Sequence, residues 1–273
     1  MIMQKETIIK IVCFIVAIGV IVGLFFYKSY QKNRKELAVM NQSSPISSST
    51  SSSSANSNNS QSSAEGTMVD RDFHTYPTVV IGGKEWMAEN LRTKCDRAGR
   101  KIEYGGDKEL SSTTPYWYYP GGNPSNEYTY GLLYNAAAAA KVCPPGWHLS
   151  TDEEWKQLEM AAGMTQKEAD GSGARGNIAA KLCDNTGWKK CDDWDNAAGN
   201  LSAPGRNSTR FNVLPAGIWN GEDYFLGVCA YFWQPHSEYR YFRYDMDEVN
   251  RTCDDLLEFS GEEHALSVRC VRN

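Results

Sequence analysis

Residues 143–158 read CPPGWHLSTDEEWKQL, and the rest of the fold can be laid out around them. Ser150 or Thr151 is a helix cap, and Ser150-x-x-Glu153 fits a capping box. The acidic residues that follow suit the positive end of a helix dipole. Trp155, Leu158 and Ala162 then recur on one helical face, so a helix with a buried stripe is predicted over 149–162. Upstream, the alanine-rich YGLLYNAAAAAK (130–141) predicts a second helix, which Pro144-Pro145 cannot let continue. A shorter helix is predicted at 177–182. Further upstream, TVVIGGKEWMAENLR (78–92) reads as a β-hairpin, with strands at 79–81 and 84–87 joined at Gly82-Gly83. Downstream of residue 183 the pattern changes to short aromatic runs separated by Gly, Asn and Asp. Strands are predicted at 211–214, 217–219, 224–226, 229–233, 239–244 and 266–271. Two main helices with short, irregular antiparallel strands make an α+β domain rich in loops.

The 273-residue chain carries a net charge of −5, unevenly spread: +4 over residues 1–40 and −8 over 68–273. The acidic domain has no basic stripe, which argues against a nucleic-acid partner. Residues 11–27 (IVCFIVAIGVIVGLFFY) are uncharged, and a helix over about 8–27 is long enough to span a bilayer. Phe25, Phe26, Tyr27 and Lys28 make a poor cleavage site, so residues 1–40 are read as an uncleaved anchor with a basic flank. Residues 41–67 are a linker; 13 of the 21 residues at 43–63 are Ser, too few of them apolar to build a core. The folded domain is placed at 68–273, and all 8 Trp fall inside it.

Seven of the eight cysteines lie in that domain, a usage that fits an oxidising compartment. The basic residues 28–35 alone would put that flank in the cytoplasm. The cysteines outweigh them, because whole domains translocate despite modest flanking charge. Six cysteines pair plausibly as Cys143–Cys270, Cys183–Cys191 and Cys229–Cys253, leaving Cys95 over; sequence alone does not fix this connectivity. The absence of C-x-x-C spacing gives no support to a zinc or thioredoxin-type site.

VDRDFHTYPTVVIGGKEWMAENLR (69–92), YGLLYNAAAA (130–139), CPPGWHLSTDEEWKQL (143–158), FNVLPAG (211–217), FW (232–233) and SVRCV (267–271) occur in the order found in the Fibrobacter succinogenes major paralogous domain, which the chain resembles over about 68–273. The resemblance implies a C-type lectin-like fold, also used by the formylglycine-generating enzyme. A Cys143–Cys270 clasp matches that fold's pattern of one cysteine before a helix and another in the last strand. Two departures stand out. Asn126-Glu127-Tyr128 occupies the region where the family often has a cysteine, which would leave Cys95 without its partner. Trp233-Gln234-Pro235-His236 replaces the usual Trp-Ser-Ser-Thr.

The candidate binding residues are the aromatics Tyr116, Trp117, Tyr118, Trp219 and Trp233, which could stack on sugar rings or anchor a protein partner if exposed. Gln234-Pro235 and Trp194-Asp195-Asn196 faintly echo lectin sugar-site motifs, but in the wrong order. Asp192, Asp193, Asp195 and Asn196 read more simply as a solvated loop than as a calcium site, so no cofactor is expected, with calcium the alternative. No catalytic or metal residue is singled out. The expectation is a single-pass membrane protein with an extracytoplasmic, non-catalytic binding module for a glycan or envelope protein. The alternatives are an enzyme of the formylglycine-generating type, a hydrolase, or a purely structural envelope protein.

Overall fold

A computed structural model describes residues 66–106, 111, 113–220, 223–251 and 264–273. The expected membrane helix at 8–27, nearly all of the Ser-rich linker, and Cys253 lie outside the described residues. Among the described residues, no helix is long and apolar enough to cross a membrane. They belong to one compact unit, Ser60–Asn273.

Folding begins slightly earlier than expected, with β1 at Thr67–Val69. It pairs with β2 (Thr75–Ile81), and the loop between them is organised by the buried Asp70. One Asp70 oxygen accepts the N–H groups of Asp72 and His74; the other accepts the Tyr76 hydroxyl at 2.6 Å. The expected hairpin follows, with β3 at Lys84–Met87 and Ile81 paired to Lys84 across a two-residue turn. Gly82 and Gly83 have φ of 59° and 76°, the conformation such a turn requires. A Cβ on Gly82 would also lie 2.6 Å from the Gln157 carbonyl, so the turn presses directly on the helix that carries Gln157.

After β4 (Glu103–Tyr104) and β5 (Tyr116–Tyr118), the helix predicted over 130–141 is split. Residues Glu127–Tyr130 form a single turn, α1; Gly131 breaks it; Leu133–Asn135 form β6; only Ala136–Val142 form α2. Leu132, Leu133 and Tyr134 are fully buried, and this pull into the core overrides helix propensity. The Asn135 side chain then caps α2 by accepting the Ala138 N–H.

Strand β7 (Trp147–Leu149) leads into α3 (Asp152–Ala161). The capping box is present one residue later than the spacing suggested: Thr151 is the cap and Glu154 its reciprocal partner. Ser150 is occupied otherwise, since its hydroxyl accepts the Trp155 indole N–H at 2.9 Å. The remaining elements are α4 (Gln166–Ala169), β8 (Gly173–Arg175), α5 (Ala179–Leu182), β9 (Ile218–Trp219), β10 (Asp223–Tyr224), β11 (Cys229–Trp233), β12 (Tyr239–Arg243), β13 (Val249–Arg251), β14 (Ala265–Leu266) and β15 (Cys270–Arg272). The strand predicted at 211–214 is a loop with one bridge, Val213 to Cys183. The strand predicted at 266–271 divides into β14 and β15, which belong to different sheets.

Among the described residues the sheets run β1-β2-β3-β15-β7, β10-β9-β14-β6-β5-β4 and β11-β12-β13-β8, with antiparallel strand pairs except for the parallel β4–β5 pair. Trp155 of α3 stands at the centre of one core, 5.4 Å from both Trp86 and Phe211 and 5.6 Å from Phe232. The crossing between β14 and β15 carries the buried Arg269. Its guanidinium donates to the Asn90 side chain and to the carbonyls of Met87, Phe211 and Asn212, and lies 4.7 Å over the Phe211 ring. Burial pulls it down to about 9, still charged at neutral pH.

Cys143 and Cys270 are bonded, with Cα atoms 5.8 Å apart. Cys183 and Cys191 are not. Each is a separate buried thiol: Cys183 packs into the Trp155 core, and the intervening segment is held by Trp188, whose indole donates to the Val213 carbonyl. Cys229 is likewise a buried thiol, and its expected partner lies outside the described residues.

Candidate functional site

A cleft of about 340 Å³ opens where α2, the end of β7 and the tip of the β11–β12 hairpin meet. The alanine run that made 136–140 helical also makes the space. Ala136, Ala137, Ala139 and Ala140 present only methyl groups, and Leu149 and Trp233 complete an apolar lining. Lys141, Gln234, His236, Ser237 and Thr113 supply the polar atoms. An apolar wall with a few converging polar groups is the usual composition of a ligand site, and this volume is at the small end of their range.

The hairpin tip is tightly specified. Gln234 N–H donates to the Glu238 carbonyl at 2.8 Å, and Pro235 starts a single helical turn. His236 and Ser237 both take left-handed φ, 64° and 61°, a conformation costing a non-glycine residue on the order of 1–2 kcal/mol.

Gln234 is only 2% exposed. Its side-chain oxygen accepts from Arg240 Nη1 at 2.7 Å. Arginine only donates, so the oxygen must be the end that faces it, and the amide nitrogen is turned away. That nitrogen is buried and has no hydrogen-bond partner. An unmet buried donor typically costs about 1–3 kcal/mol.

Arg240 is itself clamped. Its Nε donates to Glu159 at 2.9 Å and its Nη2 to Asp152 at 2.6 Å. Arg175 grips both oxygens of the buried Glu159, at 2.8 and 2.9 Å, and Arg251 donates to the second Asp152 oxygen at 2.7 Å. Burial alone would raise the Asp152 carboxyl. The Arg240 hydrogen bond and the charges of Arg240, Arg251 and Lys156 outweigh it and hold the group below its ordinary 3.8. The network ties α3 to the β11-β12-β13-β8 sheet and ends at the Gln234 amide.

The five aromatic candidates do not share a surface. Trp233 lines the cleft as a buried wall, its indole donating to the Tyr134 carbonyl at 2.6 Å. Trp117 is buried and donates to the Ile102 carbonyl. Tyr118 is 1% exposed and stacks on Trp219 at 5.6 Å, while Tyr116 and Trp219 are half-buried. Trp194, outside that group, is 56% exposed. Beside it, Asp192 is paired with Lys190 at 2.8 Å, and among the described residues no group of three or more His, Cys, Asp or Glu side chains is arranged to hold a metal.

Three of the unbonded thiols, Cys95, Cys183 and Cys229, are poor nucleophiles. Burial, then the hydrogen bond to Asp72 and its charge, push Cys95 up to about 11; burial pushes Cys229 to about 12 and Cys183 higher still. A thiolate, the reactive and metal-binding form, is therefore scarce at these positions.

A family model described as the Fibrobacter succinogenes major domain matches residues 79–272, which include the cleft and the bridge. No curated protein and no solved structure matches the chain.

Proposed function

We propose, from the premise that the chain belongs to the Fibrobacter succinogenes major domain family, that this domain is a non-catalytic, lectin-like binding module held outside the cytoplasm on an N-terminal membrane anchor and a Ser-rich tether, and that its partner is a glycan. The observation that carries the reading is the small alanine-floored cleft, edged by the polar side chains of Lys141, His236 and Ser237. Sugars offer polar oxygens beside apolar C–H faces that suit alanine methyls. The Cys143–Cys270 bridge supports an oxidising location and, joining the segment before α3 to the terminal strand, a lectin-like clasp.

The test is retention of the full chain, in mild detergent, on a panel of immobilised polysaccharides. Binding that Ala140→Leu abolishes is expected, since Ala140 is exposed and a larger side chain there fills the cleft. A chain that no glycan on the panel retains would refute the reading.

A further inference from the structure

Resting on the anchor and tether of that reading, we infer that the Phe73 loop and the basic hairpin packed beside it form a second membrane contact, which lays the domain on an anionic phospholipid surface. Phe73 is 88% exposed, and its left-handed φ of 64° disfavours any residue but glycine. The loop is nonetheless held in that shape. Asp70 N–H donates to the His74 carbonyl at 3.0 Å, and the Asp70 carboxylate accepts the N–H groups of Asp72 and His74. Asp72 accepts from the Thr93 hydroxyl at 2.9 Å, the Lys94 N–H and the Cys95 thiol. The fold thus fixes an apolar ring in water, where its own core gains nothing from it. Val69, at the mouth of the loop, is 51% exposed.

The neighbouring segment supplies cations. Residues 92–101 (RTKCDRAGRK) hold five Lys or Arg against one carboxylate, a local excess that the domain's acidic total conceals. Cys95 and Lys101 pair across a turn in which the Asp96 carboxylate accepts the N–H groups of Ala98 and Arg100; Arg97, Arg100 and Lys101 are exposed. The exposed Arg71 ties this turn to the Phe73 loop, its Nε donating to the Arg97 carbonyl at 2.9 Å. Among the described residues, Arg100 alone of these four cations has a carboxylate partner, the buried Asp96; the exposed Glu103 lies beyond Lys101 on β4. An apolar ring among cations suits an interface where the ring enters the acyl boundary and the cations meet headgroup phosphates. An acidic polysaccharide would answer the cations but gives the ring no apolar layer to enter. Acidic groups elsewhere in the domain are largely screened beyond about 8 Å. Roughly 40 residues separate the apolar run from β1, and a Ser-rich chain of that length spans about 35 Å on average. β1 is three residues long, so the loop lies about 10 Å from the tether's point of entry.

Hydroxyl-radical footprinting of the full chain in lipid nanodiscs tests this, with mass spectrometry reading oxidation at each side chain. In discs of equal phosphatidylcholine and phosphatidylglycerol, Phe73 is expected to oxidise at least about fivefold more slowly than in phosphatidylcholine alone, the factor that a single cation near such a surface supplies. Trp194, 56% exposed and flanked by acidic residues, should oxidise equally in both. Arg97→Gln with Arg100→Gln should return Phe73 to its phosphatidylcholine rate, with near-ultraviolet circular dichroism unchanged because both side chains are exposed. Raising the salt to about 1 M should do the same in the parent chain. Equal Phe73 rates in the two discs overturn the inference and leave the glycan reading standing. Protection by a soluble acidic polysaccharide and not by discs overturns the bilayer as the partner. A chain that no disc incorporates overturns the anchor and this inference with it, while polysaccharide retention still decides the cleft.

Discussion

Replacing both bridge cysteines, Cys143→Ala with Cys270→Ala, measures how much of the domain's stability depends on joining the segment before α3 to the last strand. The bonded residues are 127 apart in sequence. In the chain-entropy relation, a loop of that length restricts the unfolded chain by about 16 cal/mol/K, or about 5 kcal/mol at 25 °C. Residual structure in the unfolded chain reduces that figure, and loss of two buried sulfurs from the core beside Trp147, Val268 and Leu266 adds to it. The expected destabilisation is about 3–5 kcal/mol. For a domain of roughly 200 residues each kcal/mol moves the melting point about 2–4 °C, so the double variant should melt about 6–20 °C lower. Urea denaturation adds a second signature: the untethered chain exposes more surface on unfolding, so the m-value should rise as the midpoint falls. A double variant melting within about 2 °C of the parent, with the same m-value, would refute the reasoning, because the bridge would then constrain nothing that folding must order.

Glu159→Gln leaves Arg175 and Arg240 buried and facing an amide, and should destabilise by about 3–5 kcal/mol in urea. Arg272→Gln, which breaks an exposed pair with Glu85, should change stability by less than about 1 kcal/mol; equal effects would mean the interior network is solvated. The Cys95, Cys183 and Cys229 thiols should react with a disulfide reagent far more slowly in the native chain near neutral pH than in concentrated guanidinium chloride, and fast native labelling would contradict their burial. Asp152 is held below its ordinary value, so its contribution is fully present above the usual carboxylate range and lost as pH falls through its lowered value. Stability should therefore decline on acidification more gently in Asp152→Asn than in the parent, and identical slopes would rule out that carboxylate as a contributor.

What the sequence made legible was local. The Gly82-Gly83 hairpin, the α3 face and strand β11 each follow from a pattern a few residues long, and each formed close to its expected bounds. The capping box slipped by one because Ser150 and Thr151 are equally able caps, and a distant fact decided between them: the Trp155 indole needs the Ser150 hydroxyl. The strand at 133–135 was hidden inside a helical composition because its cause, complete burial against β5 and β14, is tertiary. Aromatic residues carry no mark of which way they face. Trp117 and Trp233 each spend their indole N–H on a backbone carbonyl, whereas Trp194, flanked by acidic residues, stays outside. The cleft was the hardest to read, since its walls come from 136–141, 149 and 233–237. The one available signal was an amide, Gln234, placed directly after the buried end of a strand.

The interior charges and the cleft are linked through Arg240. A core of well-packed apolar side chains at positions 159, 175 and 240 would be as stable as the ion network, or more so, because desolvating charges offsets most of their attraction. Stability alone therefore does not account for burying Glu159 with two arginines. Orientation does. With Arg240 removed, the Gln234 amide loses its fixed donor, and either orientation of its side chain becomes similar in energy. With Arg240 clamped by Glu159 and Asp152, only the oxygen can face the guanidinium. The network thus fixes the orientation of an otherwise ambivalent amide at a residue that lines the cleft.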